Sequence, residues 1–366
     1  MQICENEITQ RAHKNSFVVL SENIGLNNNH KAVGRVERLA IIYNKNSDLK
    51  VRRIFAETAG RIGASVSLLN IEKRGEKKTL KKLIKGKYDV ALSLVSDTVS
   101  FSNDLSKTSK DEGVVLVEMP GITIDMLASD VFLEKEQTME QRANLLFSVL
   151  SGVSEIKITG DDGTDLTLEV DPSEKWLTGP FNFFRRGAGA DGANLPGNEI
   201  YKNTLAIKTN GILVLHYLDS YVGQEIICDK PVVLKFYKGK IVSIEGAGSA
   251  QKLINYLSKM VLKDHDRFSC LRLSEVAIGL NYRARSYEEG IISTLEAEKA
   301  PRIHLAIGDS PVLDPNLANQ RNFVSSNSHL DFVLPRVHTV ITKHSSGEKK
   351  IMFGAAGSLE RYGKEI

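Results

Sequence analysis

Cysteine is scarce. Cys4, Cys228 and Cys270 are the three thiols in 366 residues, and none forms a C-x-x-C pair. That excludes a disulfide framework and a thiolate zinc site, and it suits a reducing compartment. Long apolar runs are also lacking: none approaches the ~20 residues needed to span a bilayer. Residues 1–16, MQICENEITQRAHKNS, carry no apolar signal core. The expectation is a cytoplasmic protein with no membrane partner. Charge of one sign is lacking too, with 48 basic against 45 acidic residues and a formal charge of +3. This does not argue for nucleic acid. The basic run EKRGEKKTLKKLIKGK, residues 72–87, has no aromatic residues to stack on bases and reads as a solvated helix face. No G-x-G-x-x-G follows the first strand-like run, so a dinucleotide site is unsupported.

What is present suffices for two domains: 42% hydrophobic and 25% charged residues over this length. Residues 1–35 are polar and read as irregular. RLAIIYN (38–44), ASVSLLNI (64–71), YDVALSLVS (88–96) and EGVVLVEMP (112–120) read as strands. Helical spacing marks 49–63, 77–86 and 133–152. Strands alternating with helices imply an α/β domain with a mostly parallel, open sheet. Beyond about residue 153 the period becomes two. Hairpin patterns surround Asp161-Asp162-Gly163, Lys238-Gly239 and Ser346-Gly347, and one helix, 249–265, interrupts them. The expected fold is an N-terminal open α/β domain, 1–152, followed by an α+β domain rich in antiparallel hairpins, 153–366.

Four segments of the second half place an acid or histidine beside an apolar run. They are LPGNEIY with Glu199, LRLSEVAIGLN with Glu275, PRIHLAIGDS with His304, and SSNSHLDFVLP with His329 and Asp331. Singly, each has a structural explanation: a turn cap, a salt bridge, a core histidine, a strand-edge hydrogen bond. Together they suggest more, because ionisable groups at the edge of buried strands are costly unless paired or bound to a metal. Residues i and i+2 of a strand share a face, so His329 and Asp331 point the same way. Three carboxylates and two imidazoles suit Zn, Mn, Co or Fe(II). Two ions need about eight to ten ligand positions, which five side chains approach if carboxylates bridge. Without thiolates, such a site is catalytic rather than structural. Elsewhere, His216 reads as a core or strand-pairing residue, and His338 and His344 as surface residues. Arg185 and Arg186 in the Gly-rich stretch 181–201 are either anion-binding or part of a flexible loop. Trp176 reads as core filling or a pocket wall.

In order, NLPGNEIY, LSEVAIGLN, LEAEKAPRIHLAIGDS and SHLDFVL resemble the motif series of the aminopeptidase T/aminopeptidase S (leucyl-aminopeptidase-like) metallopeptidases. The likeness spans about 190–357 and includes LKFYKGKIVSIEG. It implies a cytoplasmic, homodimeric, metal-dependent hydrolase that cleaves a peptide or small-molecule amide with two divalent ions, Zn, Co or Mn. Glu199, Glu275, His304, His329 and Asp331 would be the metal ligands, and Glu298 a general base or a residue behind the ligands. Three positions depart from the family. Ser274 replaces a glycine, Pro301-Arg302-Ile303 replaces a Gly-Thr, and Pro311 stands where a tyrosine is usual. SEVAIGL and HLD also resemble, more distantly, the iron-dependent dihydroxypyridine dioxygenases. That branch has a histidine where Glu275 stands and lacks one matching His304, but a facial triad for one Fe(II), acting on an aromatic ring, can still be drawn from His304, His329 and Asp331. A non-catalytic peptide-binding protein on the same scaffold is a third alternative.

Overall fold

The computed structural model describes residues 5–26, 36–71, 86–95, 99–179, 193–197, 199–219, 222, 227–290, 293–310, 323–335 and 338–353. The chain divides into two compact units. The first comprises Met1–Glu136, Gly179–Asn198 and Tyr282–Ala284; the second comprises Gln137–Thr178, Glu199–Asn281 and Arg285–Ile366. The helical reading of 77–86, the arginines Arg185 and Arg186, and Pro311 fall outside the described residues.

In the first unit, β1 (Arg38–Tyr43), β2 (Ser65–Asn70), β3 (Val90–Ser93), β4 (Val115–Glu118) and the short β8 (Ala193–Asn194) form one sheet in the order β2-β1-β3-β4-β8. Every pairing in it is parallel. The continuous apolar runs of β1 and β3 are buried along the strand, as a sheet covered on both faces requires. Helix α2 (Leu49–Ile62) is capped by Asp48, whose carboxylate accepts from the amides of Lys50 and Val51, and it stops at Gly63 with φ 95°. Helix α3 (Val99–Asp111) contributes Leu105 to a core with Ala40, Ile42, Ala91 and Leu116. The short α4 is Ile124–Leu127.

The irregular reading of residues 1–35 is overturned at its start, because Glu5–Val18 is helix α1. Hydrophobic periodicity missed it for a physical reason. Its buried face is Ala12, Asn15 and Ser16, docked by hydrogen bonds rather than by apolar area. Asn15 Nδ2 donates to the carbonyls of Leu127 and Ser129, and Ser16 and Thr58 share a hydroxyl bond of 2.7 Å.

The second unit holds helix α5 (Glu136–Leu150) from its second residue onward. It carries two antiparallel sheets. The larger joins β5 (Val153–Thr159), β6 (Asp165–Glu169), β10 (Asn210–Tyr217), β11 (Ile227–Tyr237), β12 (Lys240–Glu245), β16 (Thr339–His344) and β17 (Lys349–Phe353), in the order β12-β11-β10-β6-β5-β16-β17. The three hairpin turns read from the sequence connect β5 to β6, β11 to β12, and β16 to β17. Helix α6 (Gly248–Lys263) buries Leu253, Leu257 and Met260. The smaller sheet runs β15-β14-β13-β9-β7, from β7 (Leu177–Thr178), β9 (Glu199–Asn203), β13 (Leu273–Gly279), β14 (Ile303–Gly308) and β15 (His329–Val333). A single turn, α7 (Thr294–Ala297), precedes β14. Among the described residues, no helix is long and apolar enough to cross a membrane.

Candidate metal centre

The smaller sheet collects every acid and histidine that the sequence singled out as a ligand. Glu199 opens β9, Glu275 lies on β13, His304 on β14, and His329 and Asp331 on β15. The register puts them on one face. Glu275 pairs with Ala306, which pairs with Asp331; Ala277 pairs with His304; Gly279 pairs with Glu199; Gly308 pairs with His329. Directly opposed residues share a side of the sheet, as do residues two apart. The spaces between the polar side chains on that face are therefore floored by Ala277, Gly279, Ala306 and Gly308. Gly308 has φ 101°, and a Cβ there would lie 1.9 Å from the carbonyl of Ser328; a Cβ on Gly279 would lie 1.9 Å from that of Ala300. Neither position accepts a side chain without moving the strands.

Asp331 is the hub. Its Oδ1 lies 3.6 Å from His329 Nε2 and 4.0 Å from His304 Nε2. His329 Nε2 is also 3.2 Å from Glu275 Oε2, and His304 Nε2 is 3.3 Å from Glu199 Oε2. Two triads bring one ligand atom from each residue within 4.8 Å of one another: Glu275, His329 and Asp331, and Glu298, His304 and Asp331. His329 Nδ1 contacts the carbonyl of Asp309 at 2.7 Å. A proton held at Nδ1 for that carbonyl leaves Nε2 as the lone-pair nitrogen facing the carboxylates.

Burial sets the protonation of the cluster. It pushes Glu275 above the usual carboxylate range, against the pull of His329. It lifts Glu298 well above that range, opposed by Lys299 and assisted by Asp331 and Glu199. Burial alone would raise Glu199 and Asp331 as well. Lys299 and His304 outweigh it at Glu199, and His329 outweighs it at Asp331, so both end low. At His329 burial opposes the charge, but Asp331 and Glu275 hold the imidazolium well above its ordinary range. A cation entering here must displace that proton, so uptake is coupled to pH.

Two residues of the cluster have no role assigned from the sequence, although Lys299 belongs to the EAEKAP motif. Lys299 is 0% exposed, and its Nζ lies 2.6 Å from Glu199 Oε1 and 2.8 Å from Glu298 Oε1. Asp219, 1% exposed, accepts the backbone N–H of Asp331 at 3.2 Å. A lysine after a glutamate, or an aspartate in HYLDS, is ordinarily solvated. Their burial comes from long-range pairing that no local spacing encodes.

Other readings fare unevenly. His338 and His344 are buried, at 1% and 8% exposure, which corrects their assignment to the surface. His338 Nε2 lies 3.2 Å from Asp162 Oδ2, and His344 Nδ1 lies 3.0 Å from the carbonyl of Ser151 while its Nε2 is buried without a hydrogen-bond partner among the described residues. His216, on β10, reaches the same Asp162 oxygen at 3.1 Å. Trp176 is buried with the Lys202 ammonium 5.8 Å from its ring centroid.

The donor set fits divalent cations. With the carboxyls ionised and His329 neutral, the state that binds a cation, Glu199, Glu275, Glu298 and Asp331 outnumber the Lys299 ammonium by three charges among the described residues. Glu199 Oε2 is buried without a hydrogen-bond partner among the described residues. Buried charge left in that state is costly, and a cation offsets it. Carboxylates and imidazoles without thiolates are the ligands of catalytic rather than structural ions.

Two solved structures share the fold. The 2,5-dihydroxypyridine dioxygenase of Pseudomonas putida KT2440 is 15% identical, with 97% of this chain and 98% of that one covered and a TM-score of 0.63. The wild-type AmpT of Thermus thermophilus is 14% identical, with 93% and 97% covered and a TM-score of 0.63. No curated protein matches the chain. The family of thermophilic metalloproteases (M29) matches residues 129–358, a segment that contains both antiparallel sheets and every residue of the cluster. A match over more than half the chain, with a cation-demanding acid–histidine cluster inside it, shows that the chain belongs to the thermophilic metalloprotease family M29 and is a metal-dependent peptidase.

Proposed function

We propose that the protein is an aminopeptidase holding two divalent ions, Zn, Co or Mn, on Glu199, Glu275, His304, His329 and Asp331. The observation that carries this reading is the position of Asp331, whose Oδ1 lies 3.6 Å from His329 Nε2 and 4.0 Å from His304 Nε2. Asp331 and the two histidines would hold the ions together with Glu199 and Glu275. When bound, the ions would supply Lewis acidity and a water of lowered pKa.

The remaining roles fall to the chain itself. Glu298 is the proton carrier. Burial favours its neutral form, and Lys299 Nζ occupies its Oε1, leaving Oε2 to exchange a proton with the leaving amine. Lys299 also fixes Glu199 through Oε1, so that Oε2 faces His304. The motif series that resembles the aminopeptidase T/aminopeptidase S family supports a free amino terminus as the recognition element. A cytoplasmic location accompanies this reading and is supported by Cys228 and Cys270, both free thiols, the state a reducing compartment maintains.

The test compares a series of dipeptide amides with their N-acetylated counterparts, in protein loaded with Zn(II), Co(II) or Mn(II). Amine release from the free series alone, abolished by a chelator, is the expected result. Equal cleavage of acetylated substrates would refute aminopeptidase specificity. A second reading, an oxygenase with one Fe(II), is favoured by the approach of both histidine Nε2 atoms to Asp331 Oδ1. Oxygen uptake with an aromatic substrate, and no amine release, would select it.

A further inference from the structure

We propose that Asp219 is a positioning residue, which clamps the strand and the helical turn bearing the cluster into one geometry suited to cation binding. The inference rests on the metal-site reading above.

Among the described residues, β15 is an edge strand, bonded within its sheet to β14 alone. Alternate amides of an edge strand face away from the ladder and need another acceptor. At Asp331 that acceptor is Asp219 Oδ2, at 3.2 Å. Oδ1 of the same carboxylate accepts from Thr294 Oγ1 at 3.4 Å, and Thr294 Oγ1 in turn accepts from Tyr287 OH at 3.1 Å. Each hydroxyl has one proton to give, so the chain of donors ends on an ionised carboxylate.

Thr294 opens α7, and its carbonyl accepts the amide of Glu298 at 3.0 Å. Asp219 therefore grips the turn that presents Glu298 and Lys299 with one oxygen, and the strand that presents His329 and Asp331 with the other. Apolar contacts join the same segments. Tyr287, Ala297 and Val333 pack as one cluster with Tyr217 against them. The rings of Tyr217 and Tyr287 stack with centroids 4.5 Å apart and planes at 20°. Tyr217 lies two residues before Asp219, so the stack braces the carboxylate's own segment. Asp219 reaches Asp331 through its main chain and is absent from both ligand triads. Its effect on an ion is thus indirect, through the placement of Asp331 and Glu298.

Removing such an outer partner ordinarily weakens metal binding by about 10- to 100-fold. The test titrates Co(II) and Zn(II) into metal-free wild type, D219A, D219N and T294V by chelator competition, with the visible spectrum of bound Co(II) as a second signal. Hydrogen exchange of 329–333 is followed without metal. D219A should lose affinity by about 10- to 100-fold, alter the Co(II) spectrum and speed exchange in 329–333. D219N keeps an oxygen for the Asp331 amide and should recover most of the affinity. T294V keeps that bond but frees the helical turn, and should lose less than D219A. If D219A fails to fold, T294V and D219N carry the comparison. Wild type that binds both ions beside variants that bind equally well overturns this proposal alone. Wild type that takes up no metal overturns the metal-site reading, and this inference with it.

Discussion

Replacing Lys299 with methionine removes the single ammonium from a cluster of four carboxylates while keeping most of the side-chain volume. Its two ion pairs, at 2.6 and 2.8 Å, each correspond to about 6 kcal/mol of Coulomb attraction at an effective dielectric of about 20. The cost of burying the ammonium offsets much of that. Breaking a buried pair and stranding its partner leaves a net penalty of about 3–5 kcal/mol. For a unit of this size that lowers the melting temperature by about 6–20 °C. Calorimetry of metal-free wild type and K299M, following the second unit's transition, measures it. Without the lysine, Glu199 loses the main charge that holds its folded-state pKa low, and that of Glu298 rises further above its unfolded value. The deficit should therefore be full at pH 7.5 and shrink as pH falls through those raised values, where the carboxyls protonate at little cost. Zn(II) should likewise stabilise K299M more than wild type, because an ion takes over the missing charge. A penalty below about 1 kcal/mol, the range of a surface pair, or a deficit that stays constant as pH falls from about 7.5, would count against a buried ion pair here.

Gly308→Ala drives a methyl group into the carbonyl of Ser328 at a left-handed φ. It should destabilise by about 1–3 kcal/mol and weaken Co(II) uptake through displacement of His329, as titration would show. At Asp162, burial alone would raise the pKa. Thr164, His338 and His216 outweigh it and hold the carboxyl below its ordinary value. Its contribution is thus present above the unfolded pKa and is lost as pH falls through the folded one, so D162N should flatten the acid limb of a stability profile below about pH 4. Burial pushes the Cys270 thiol up to about 12. A chromogenic disulfide reagent at pH 8 should leave it unmodified in the native protein and label it in denaturant.

Much of the fold was legible because the two halves change period at about residue 153. Apolar runs with helical segments between them become a parallel sheet, and alternation around glycine-containing turns becomes hairpins. The cluster was legible for a related reason. Strand pairing on one face turns short motifs separated by up to 130 residues into neighbours, and the motifs kept their order. Lys299 and Asp219 were not legible, because burial of a charged residue is decided by tertiary partners. Helix α1 was missed because it docks through Asn15 and Ser16 rather than an apolar stripe. His338 and His344 were misplaced because strand ends read as surface until Asp162 and the Ser151 carbonyl supply partners.

The central claim is that Asp331 joins two cations. Elemental mass spectrometry of wild type and D331N, each purified without chelator and dialysed against limiting Zn(II), tests it most directly. About two ions per chain are expected in wild type, and loss of both in D331N, because Asp331 Oδ1 lies between His304 and His329, within 4.0 Å of each. Retention of both ions by D331N, or one iron per chain in wild type, would contradict it.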